Sequence, residues 1–300
     1  MLGRRSMENS QRDYRHCSGA TECAEGSTHK GGRNWAFSAI AGGRTLSSMW
    51  FPRSSELACF VVAGLTLAAC GGAGSKDTVQ VFAAASLTDA FTQLEADFEA
   101  ANPNVDVVIN FGGSSSLREQ IRAGAPADVF ASANESVVAS LVEESLVNGR
   151  PEAFATNSLI LAVPAGNPGK ISGLSDLAND DLLVGVCAAE VPCGQLAVEA
   201  FETQGIEASI DTNEPDVRAL LTKIELGELD VGLVYTTDVL ASDKGAEPVA
   251  IGGDTPFVTT YPIVTLVDAP NAEGAAAFAD FVTGSRAEVT FAQLGFGAAQ

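Results

Sequence analysis

Histidine, tryptophan and methionine are missing from most of this chain, and their absence limits its chemistry. Both histidines, both tryptophans and all three methionines lie within the first 50 of the 300 residues. The rest of the chain has no imidazole for a Ser-His-Asp or Cys-His catalytic site, for a metal site or for proton transfer near neutral pH.

Positive charge is also scarce from Cys70 to the end of the chain. This segment carries 9 Lys plus Arg and 33 Asp plus Glu, a formal charge of −24. Nucleic-acid binding requires clusters of Lys and Arg that neutralise phosphates, so this composition argues against it. The length of the segment allows one large domain or two lobes of about 100 residues each.

The beginning of the chain resembles a leader. Residues 1–48 are rich in Gly, Ser and Arg and lack an apolar period, which indicates a disordered extension or a start assigned too far upstream. In residues 49–69, Arg53 precedes an apolar run from Leu57 to Ala69. This run suits a signal peptide and is too short to span a bilayer. The segment before the run is only weakly basic, so the true start could lie upstream of Met49.

A cysteine follows this apolar run directly. The sequence Leu67-Ala-Ala-Cys70-Gly resembles a bacterial lipobox, in which the cysteine carries lipid and becomes the first residue of the mature chain. Residues 70–76 would then be the lipidated cysteine and a flexible tether. The sequence predicts a protein anchored by acyl chains to the outer face of the cell membrane. A buried helix with an incidental cysteine is the alternative.

Two further cysteines, Cys187 and Cys193, lie within the acidic segment. An isolated pair in an oxidising compartment favours a disulfide, although geometry between a strand and a loop can forbid it and leave free thiols. Two thiols without histidine make a poor zinc site.

Short apolar strands alternate with helices from residue 77 to the end, which predicts an α/β fold with a mostly parallel sheet. Predicted strands cover residues 79–84, 106–111, 124–132, 159–164, 182–187, 229–235 and 261–267. Predicted helices cover residues 87–101, 117–123, 135–144, 195–204, 213–226, 275–282 and 287–294. Ser86 with Asp89 suggests a cap for the first helix, and Pro215 is predicted in the first turn of the fifth.

Two strand-to-helix turns favour an anion. Ser86 and the segment Gly112-Gly-Ser-Ser-Ser116 would each present a hydroxyl, free backbone N–H groups and a positive helix end. Neither turn contains Lys or Arg, so an anion there would be held by hydrogen bonds. Taken alone, a serine at a helix start is more often an ordinary cap than a ligand contact, and a Gly-Gly-Ser run is usually a loop. The phosphate-binding glycine motifs are absent.

Six segments in order resemble the molybdate-binding proteins of ABC importers. They are 81–90 (VFAAASLTDA), 111–117 (FGGSSSL), 124–130 (GAPADVF), 191–194 (VPCG), 216–218 (DVR) and 232–235 (GLVY), followed by a matching end at 291–296 (FAQLGF). The resemblance implies a two-lobed type II periplasmic binding protein fold, with a mixed, mostly parallel sheet in each lobe and a hinge between them. It also implies capture of molybdate or tungstate and delivery to a membrane permease, without a cofactor, without enzymatic activity and as a monomer.

The resemblance further implies a set of neutral donors. Molybdenum would be bound only as its oxyanion, whose oxygens would accept hydrogen bonds from Ser86, Ser114, Cys193, Val217 and Tyr235. Cys193 stands where the family often has alanine and would donate its backbone N–H. Because Ser114, Ser115 and Ser116 are adjacent, any of the three could be the second serine. A donor-only site should bind an anion without a proton, largely independently of pH near neutrality.

The same resemblance divides the chain into two lobes. Lobe one would comprise residues 77–156 and 259–300, and lobe two residues 157–258. The hinges would lie near Thr156-Asn157 and Pro256-Phe257. Closure would then be a hinge motion around the ligand.

Three alternatives remain. The protein could carry sulfate or another tetrahedral oxyanion. It could be an enzyme that uses Asp89, Asp128 and Asp216, since paired carboxylates can act without histidine. It could also be a sensor or adhesion lipoprotein that retains the fold.

Overall fold

The computed structural model describes residues 77–242, 245–253 and 256–299. The predicted extension (1–48), signal peptide (49–69) and lipidated Cys70 with its tether (70–76) lie outside these residues.

The described residues form an α/β fold built around one mixed sheet. The strands are β1 (Asp77–Ala84), β2 (Val105–Gly112), β3 (Val129–Ala131), β4 (Val147–Pro164), β5 (Val184–Cys187), β6 (Thr212–Glu214), β7 (Val231–Tyr235), β8 (Ala246–Val249), β9 (Val258–Leu266) and β10 (Gly297–Ala298). The helices are α1 (Thr88–Ala101), α2 (Ser114–Arg122), α3 (Glu135–Glu143), α4 (Pro192–Gln204), α5 (Val217–Glu225), α6 (Thr236–Leu240), α7 (Ala272–Val282) and α8 (Ser285–Gln293).

The sheet has the order β2-β1-β3-β9-β4-β7-β5-β6, with β8 and β10 also paired to β4. The pairs β1–β2, β1–β3, β5–β6 and β5–β7 are parallel, as alternating strands and helices predict. The pairs that involve β4 or β9 are antiparallel. Antiparallel pairing is therefore more extensive than the alternation of strands and helices predicts. The reason is that β4 and β9 lie in the middle of the sheet and run antiparallel to their neighbours.

The long strand β4 connects two halves of the sheet. Its residues 147–158 pair with β9, ending at the pair Ser158–Val258. From Leu159 onward it pairs with β7 and β8. We call β1, β2, β3, β9, β10 and the first part of β4 the first half, and β5 to β8 with the rest of β4 the second half.

The hydrophobic core follows the same division. One buried cluster takes its residues from 159–257 alone and packs around the second half. Two other clusters cover the opposite faces of the first half, and all their residues come from 79–155 and 261–296. Each half therefore buries its own apolar side chains.

Several helix starts differ from the sequence prediction, among them α4, which begins at Pro192 rather than at residue 195, and α7, which begins at Ala272 rather than at residue 275. Helix α2 begins at Ser114 rather than at Leu117, because the serines themselves form its first turn. The prediction for Pro215 is wrong: α5 begins at Val217 after the cap Asp216, so the proline precedes the helix. The short elements β6, β8, β10 and α6 were not predicted, since such short segments give no readable period.

Candidate oxyanion site

A small cavity lies where the two halves of the sheet meet. It contains about 220 Å³ of empty space, part of which is open to solvent. Its lining comes from the turn after β1, the beginnings of α2, α4 and α5, and the end of β7. All five residues predicted as donors line it: Ser86, Ser114, Cys193, Val217 and Tyr235. The structure thus brings together residues that are far apart in the chain.

Three helix N-termini converge on this cavity. Helix α2 begins at Ser114, α4 at Pro192 and α5 at Val217. The first N–H groups of a helix have no partner within the helix, and the helix dipole places partial positive charge there. The cavity therefore combines backbone donors with a positive potential that requires no cationic side chain.

The cap of α5 leaves one particular N–H group for the cavity. The Asp216 carboxylate accepts the N–H groups of Arg218 and Ala219, each at 2.9 Å. Val217 is the first residue of the helix and lines the cavity. Its N–H group is the first-turn donor that the cap does not use.

The serine triplet separates into three different environments. Ser114 is buried and lines the cavity, and its Oγ accepts the N–H of Ala133 at 3.1 Å. The hydroxyl hydrogen of Ser114 therefore remains available. Ser115 donates its hydroxyl to the carbonyl of Glu190 at 2.5 Å, and Ser116 is exposed. Among the three serines, Ser114 is the one at the cavity.

Ser86 does not cap α1, contrary to the sequence prediction. The cap position of α1 is Leu87, and no side chain caps it. The Ser86 hydroxyl instead forms a hydrogen bond of 2.9 Å with the phenol of Tyr261. Asn157 donates to that same phenol at 3.4 Å and to Thr237 at 2.8 Å. The phenol accepts from Asn157 and can donate its own hydrogen to Ser86, and in that arrangement the Ser86 hydrogen is free to point into the cavity.

Tyr235 ends β7 with a hydroxyl that has no hydrogen-bond partner among the described residues. Its ring is buried and lies 6.1 Å from the ring of Tyr261. Burial, with smaller contributions from Tyr261 and Asp238, raises the pKa of Tyr235 well above its usual value. Tyr235 is therefore a neutral O–H donor at neutral pH, and it lines the cavity.

Cys193 lies in the first turn of α4 and is joined to Cys187 at the end of β5 by a disulfide, with 5.8 Å between their Cα atoms. The bond ties the helix start to the sheet. The next residue, Gly194, lies so close to the carbonyl oxygen of Ala188 that a Cβ on it would clash with that oxygen. This tight turn fixes the N-terminus of α4 against the cavity.

Asp238, in helix α6, is a group with a pKa near neutrality that the absence of histidine did not suggest. Its carboxylate is fully buried, and burial raises its pKa to about 7 although the nearby Arg218 acts in the opposite direction. Its Oδ2 accepts the N–H of Tyr235 at 3.1 Å. The absence of histidine therefore does not exclude titration near neutral pH, because a buried carboxylate titrates in the same range.

The three aspartates considered for catalysis each have a structural partner. Asp128 accepts the N–H groups of Gln80 and Asn271 at 2.7 and 2.6 Å. Asp216 caps α5, and Asp89 forms an ion pair with Arg218. Since these carboxylates hold backbone or an arginine, they do not form a pair over a common substrate position.

Sequence reasoning missed the residues that support the donors. Tyr261, Asn157 and Asp238 orient Ser86 and Tyr235 without lining the cavity. The one available signal was the rarity of tyrosine, since Tyr261 is one of two tyrosines after Cys70.

Across residues 77–242, 245–253 and 256–299, no helix is both long enough and apolar enough to cross a membrane.

Known proteins share this architecture. Residues 79–297 match the family described as bacterial extracellular solute-binding protein. A relative from Mycobacterium bovis, named molybdate-binding protein ModA, is 36% identical over 258 residues, which cover 82% of this chain and 98% of the relative. The solved periplasmic molybdate-binding protein of Azotobacter vinelandii gives a TM-score of 0.66 at 20% identity, covering 74% of this chain and 100% of its own. The sulfate-binding protein SubI of Mycobacterium tuberculosis H37Rv gives 0.66 at 19% identity, covering 75% and 88%. At such identities the two solved structures show a common fold.

Proposed function

The chain belongs to the bacterial extracellular solute-binding protein family, and on that premise we propose that it captures molybdate between its two halves and delivers it to the permease of an ABC importer. The observation that carries the proposal is the convergence of five donor residues on one small cavity. The 36% identical relative named for molybdate binding supports the choice of ligand. Membership of a solute-binding family also favours a binding protein over the enzyme that was considered as an alternative.

The donor set suits a tetrahedral dianion that carries no proton. Two serine hydroxyls, the Tyr235 phenol and the first-turn N–H groups of α4 and α5 all donate. A proton on the ligand would need an acceptor, so phosphate, which is partly protonated at neutral pH, is disfavoured. Tungstate has the same charge and shape as molybdate and is proposed as a second ligand. Sulfate has the same charge as molybdate, so the site must distinguish the two anions by their difference in size.

The proposed lobes, 77–156 with 259–300 and 157–258, follow the two halves of the sheet to within two residues at each crossing. The core clusters support this division because each draws on one set of residues. The crossing of β4 between its partners, at Ser158 and Leu159, supports a hinge beside Thr156-Asn157. The second proposed hinge, at Pro256-Phe257, lies beside it, since the Leu159 N–H bonds the Phe257 carbonyl at 2.9 Å.

The proposed location follows from the leader. Lipidation of Cys70 behind the apolar run would hold a monomer at the outer face of the cell membrane, where a permease can receive the anion. Replacing Cys70 with alanine should move the protein from the membrane fraction to the soluble fraction.

Isothermal titration with molybdate, tungstate, sulfate and phosphate tests the function. The expected result is tight binding of molybdate and tungstate with one site per chain, and little heat from phosphate. If molybdate does not bind, or if sulfate displaces it at equal concentration, the assignment to molybdate is lost. The second outcome would instead identify a sulfate carrier.

A further inference from the structure

Arg218 connects the two halves of the molecule beside the cavity. It is the second residue of α5, and its Nη2 forms an ion pair with Asp89 at the beginning of α1, in the first half. Its Nε lies 3.2 Å from Oδ1 of the buried Asp238 in the second half. A single guanidinium group thus contacts one carboxylate from each half.

The position of Arg218 is linked to two of the proposed donors. It follows Val217 directly in the chain, and Asp216 accepts its backbone N–H. Its partner Asp238 also accepts the N–H of Tyr235. Moving the guanidinium would therefore disturb the N-terminus of α5 and the end of β7 together.

Arg218 does not line the candidate cavity. It borders the adjoining cavity with Ser86 and Asp89, and its nitrogens already face two carboxylates. Its position therefore fits a contact between the halves better than a direct contact with the anion.

Several further ion pairs join two residues of the same half. Arg122–Glu144 and Arg286–Asp97 belong to the first half, and Lys223–Glu214 belongs to the second. The contacts Ser115–Glu190 and Asn134–Gln195 also cross between the halves, but they are neutral hydrogen bonds. Asp89–Arg218 thus differs from both groups, because it is ionic and joins the two halves.

We propose that Arg218 is a positioning residue that latches the two halves closed by pairing with Asp89 and thereby slows release of the bound anion. This inference rests on the proposed function of oxyanion capture. Separation of the halves would break the pair with Asp89, whereas the contact with Asp238 would persist in the second half.

The first test measures molybdate dissociation by stopped flow for the wild type, Asp89→Asn, Arg218→Lys and Arg218→Gln. Asp89→Asn should raise the dissociation rate constant and the dissociation constant about two- to fivefold, as expected for a partly exposed ion pair. Arg218→Lys keeps the positive charge, so its dissociation rate constant should rise less than that of Arg218→Gln. Combining Asp89→Asn with Arg218→Gln should add nothing to Arg218→Gln alone.

A matched control removes an equivalent pair that does not cross the cleft. Asp97 is on α1, like Asp89, and pairs with Arg286 on α8. The variant Asp97→Asn disrupts this pair and should leave the dissociation rate unchanged. Equal dissociation rates for the wild type and Asp89→Asn, an equal effect of Asp97→Asn, or additive effects in the double variant would each overturn the latch.

The proposed ligand and the latch can fail separately. If the wild type binds none of the four oxyanions, the function is wrong, and small-angle scattering of the unliganded proteins decides the latch. A smaller radius of gyration for the wild type than for Asp89→Asn supports it, and identical radii overturn it.

Discussion

The two buried tyrosines beside the cavity differ in one respect: the hydroxyl of Tyr235 has no partner among the described residues, whereas that of Tyr261 bonds Ser86 and Asn157. An unpaired buried hydroxyl destabilises a folded protein, while a paired one stabilises it. Such an unpaired group is retained at a cost in stability, which fits a donor reserved for a ligand.

Removal of the two hydroxyls should therefore have opposite effects on stability. Tyr235→Phe should leave the free energy of unfolding of the unliganded protein unchanged or raise it by about 1 kcal/mol, yet weaken molybdate binding about tenfold or more. Tyr261→Phe, the matched control, should lower the free energy of unfolding by about 1–3 kcal/mol because Ser86 and Asn157 lose a partner. Denaturant unfolding and calorimetric titration measure both quantities. Loss of stability in Tyr235→Phe with unchanged affinity would contradict the assignment.

Asp238 should give the protein a distinctive dependence on pH. Its pKa is raised from 3.8 to about 7, so the native state holds a proton that the unfolded chain has lost within this range. Stability from this group is complete below about pH 4 and falls as pH rises through 7. The charged or titratable groups near it are Arg218 on α5, Asp216 at the cap before α5, Asp89 on α1, Tyr235 on β7 and Tyr261 on β9.

The variant Asp238→Asn isolates this contribution, because asparagine can still accept the Tyr235 N–H. The wild type should lose stability relative to the variant between pH 5 and pH 8. Denaturant unfolding at both values measures the difference, and a difference that does not change with pH would refute the raised pKa.

At the scale of elements, the start of α2 lies against the second half. A Cβ on Gly113, the cap residue of α2, would clash with the carbonyl oxygen of Pro215, just before α5. A Cβ on its neighbour Gly112 would lie 3.5 Å from the side chain of Leu117, which is an ordinary van der Waals contact. Two adjacent glycines thus differ in whether a methyl group would separate the helix starts.

The variant Gly113→Ala should hold the starts of α2 and α5 apart. We expect molybdate affinity to fall about tenfold or more, because helix-end donors act only at hydrogen-bond distance. The melting temperature of the unliganded protein should change little if the halves are then open. Gly112→Ala is the control and should bind nearly as the wild type does. Equal affinity of the two variants would show that this close approach is not needed for binding.

At the scale of the whole molecule, the negative charge opposes the arrival of an anion. The segment from Cys70 to the end carries a formal charge of −24. Affinity must therefore come from short-range donors inside the cavity, while long-range repulsion slows association.

Salt should accordingly accelerate capture. Raising NaCl from about 0.01 to 0.15 M shortens the Debye length from about 30 to 8 Å, so the association rate constant for molybdate should increase several-fold. Stopped-flow measurement separates this change from any change in the dissociation rate. An association rate that falls with salt would indicate a local positive field strong enough to outweigh the net charge.

The sequence by itself determined the class of fold, and it predicted the chemistry of the proposed donors and their positions along the chain. Strand and helix periodicity is local, so most of the longer elements were predictable, while β6, β8, β10 and α6 were too short. Residues 147–158 of the longest strand, β4, were also missed, because they contain no apolar run. Absence of histidine and scarcity of Lys and Arg pointed to neutral donors, and family resemblance named Ser86, Ser114, Cys193, Val217 and Tyr235.

Only the tertiary structure decided how these donors are held. It separated Ser114 from its two neighbours and gave Ser86 a partner in Tyr261, 175 residues away. It also buried Asp238, which created a group that titrates near neutrality in a chain segment without histidine. Hydrogen-bond partners, burial and pKa depend on contacts between residues that are distant in the chain, and no local pattern in the sequence encodes those contacts.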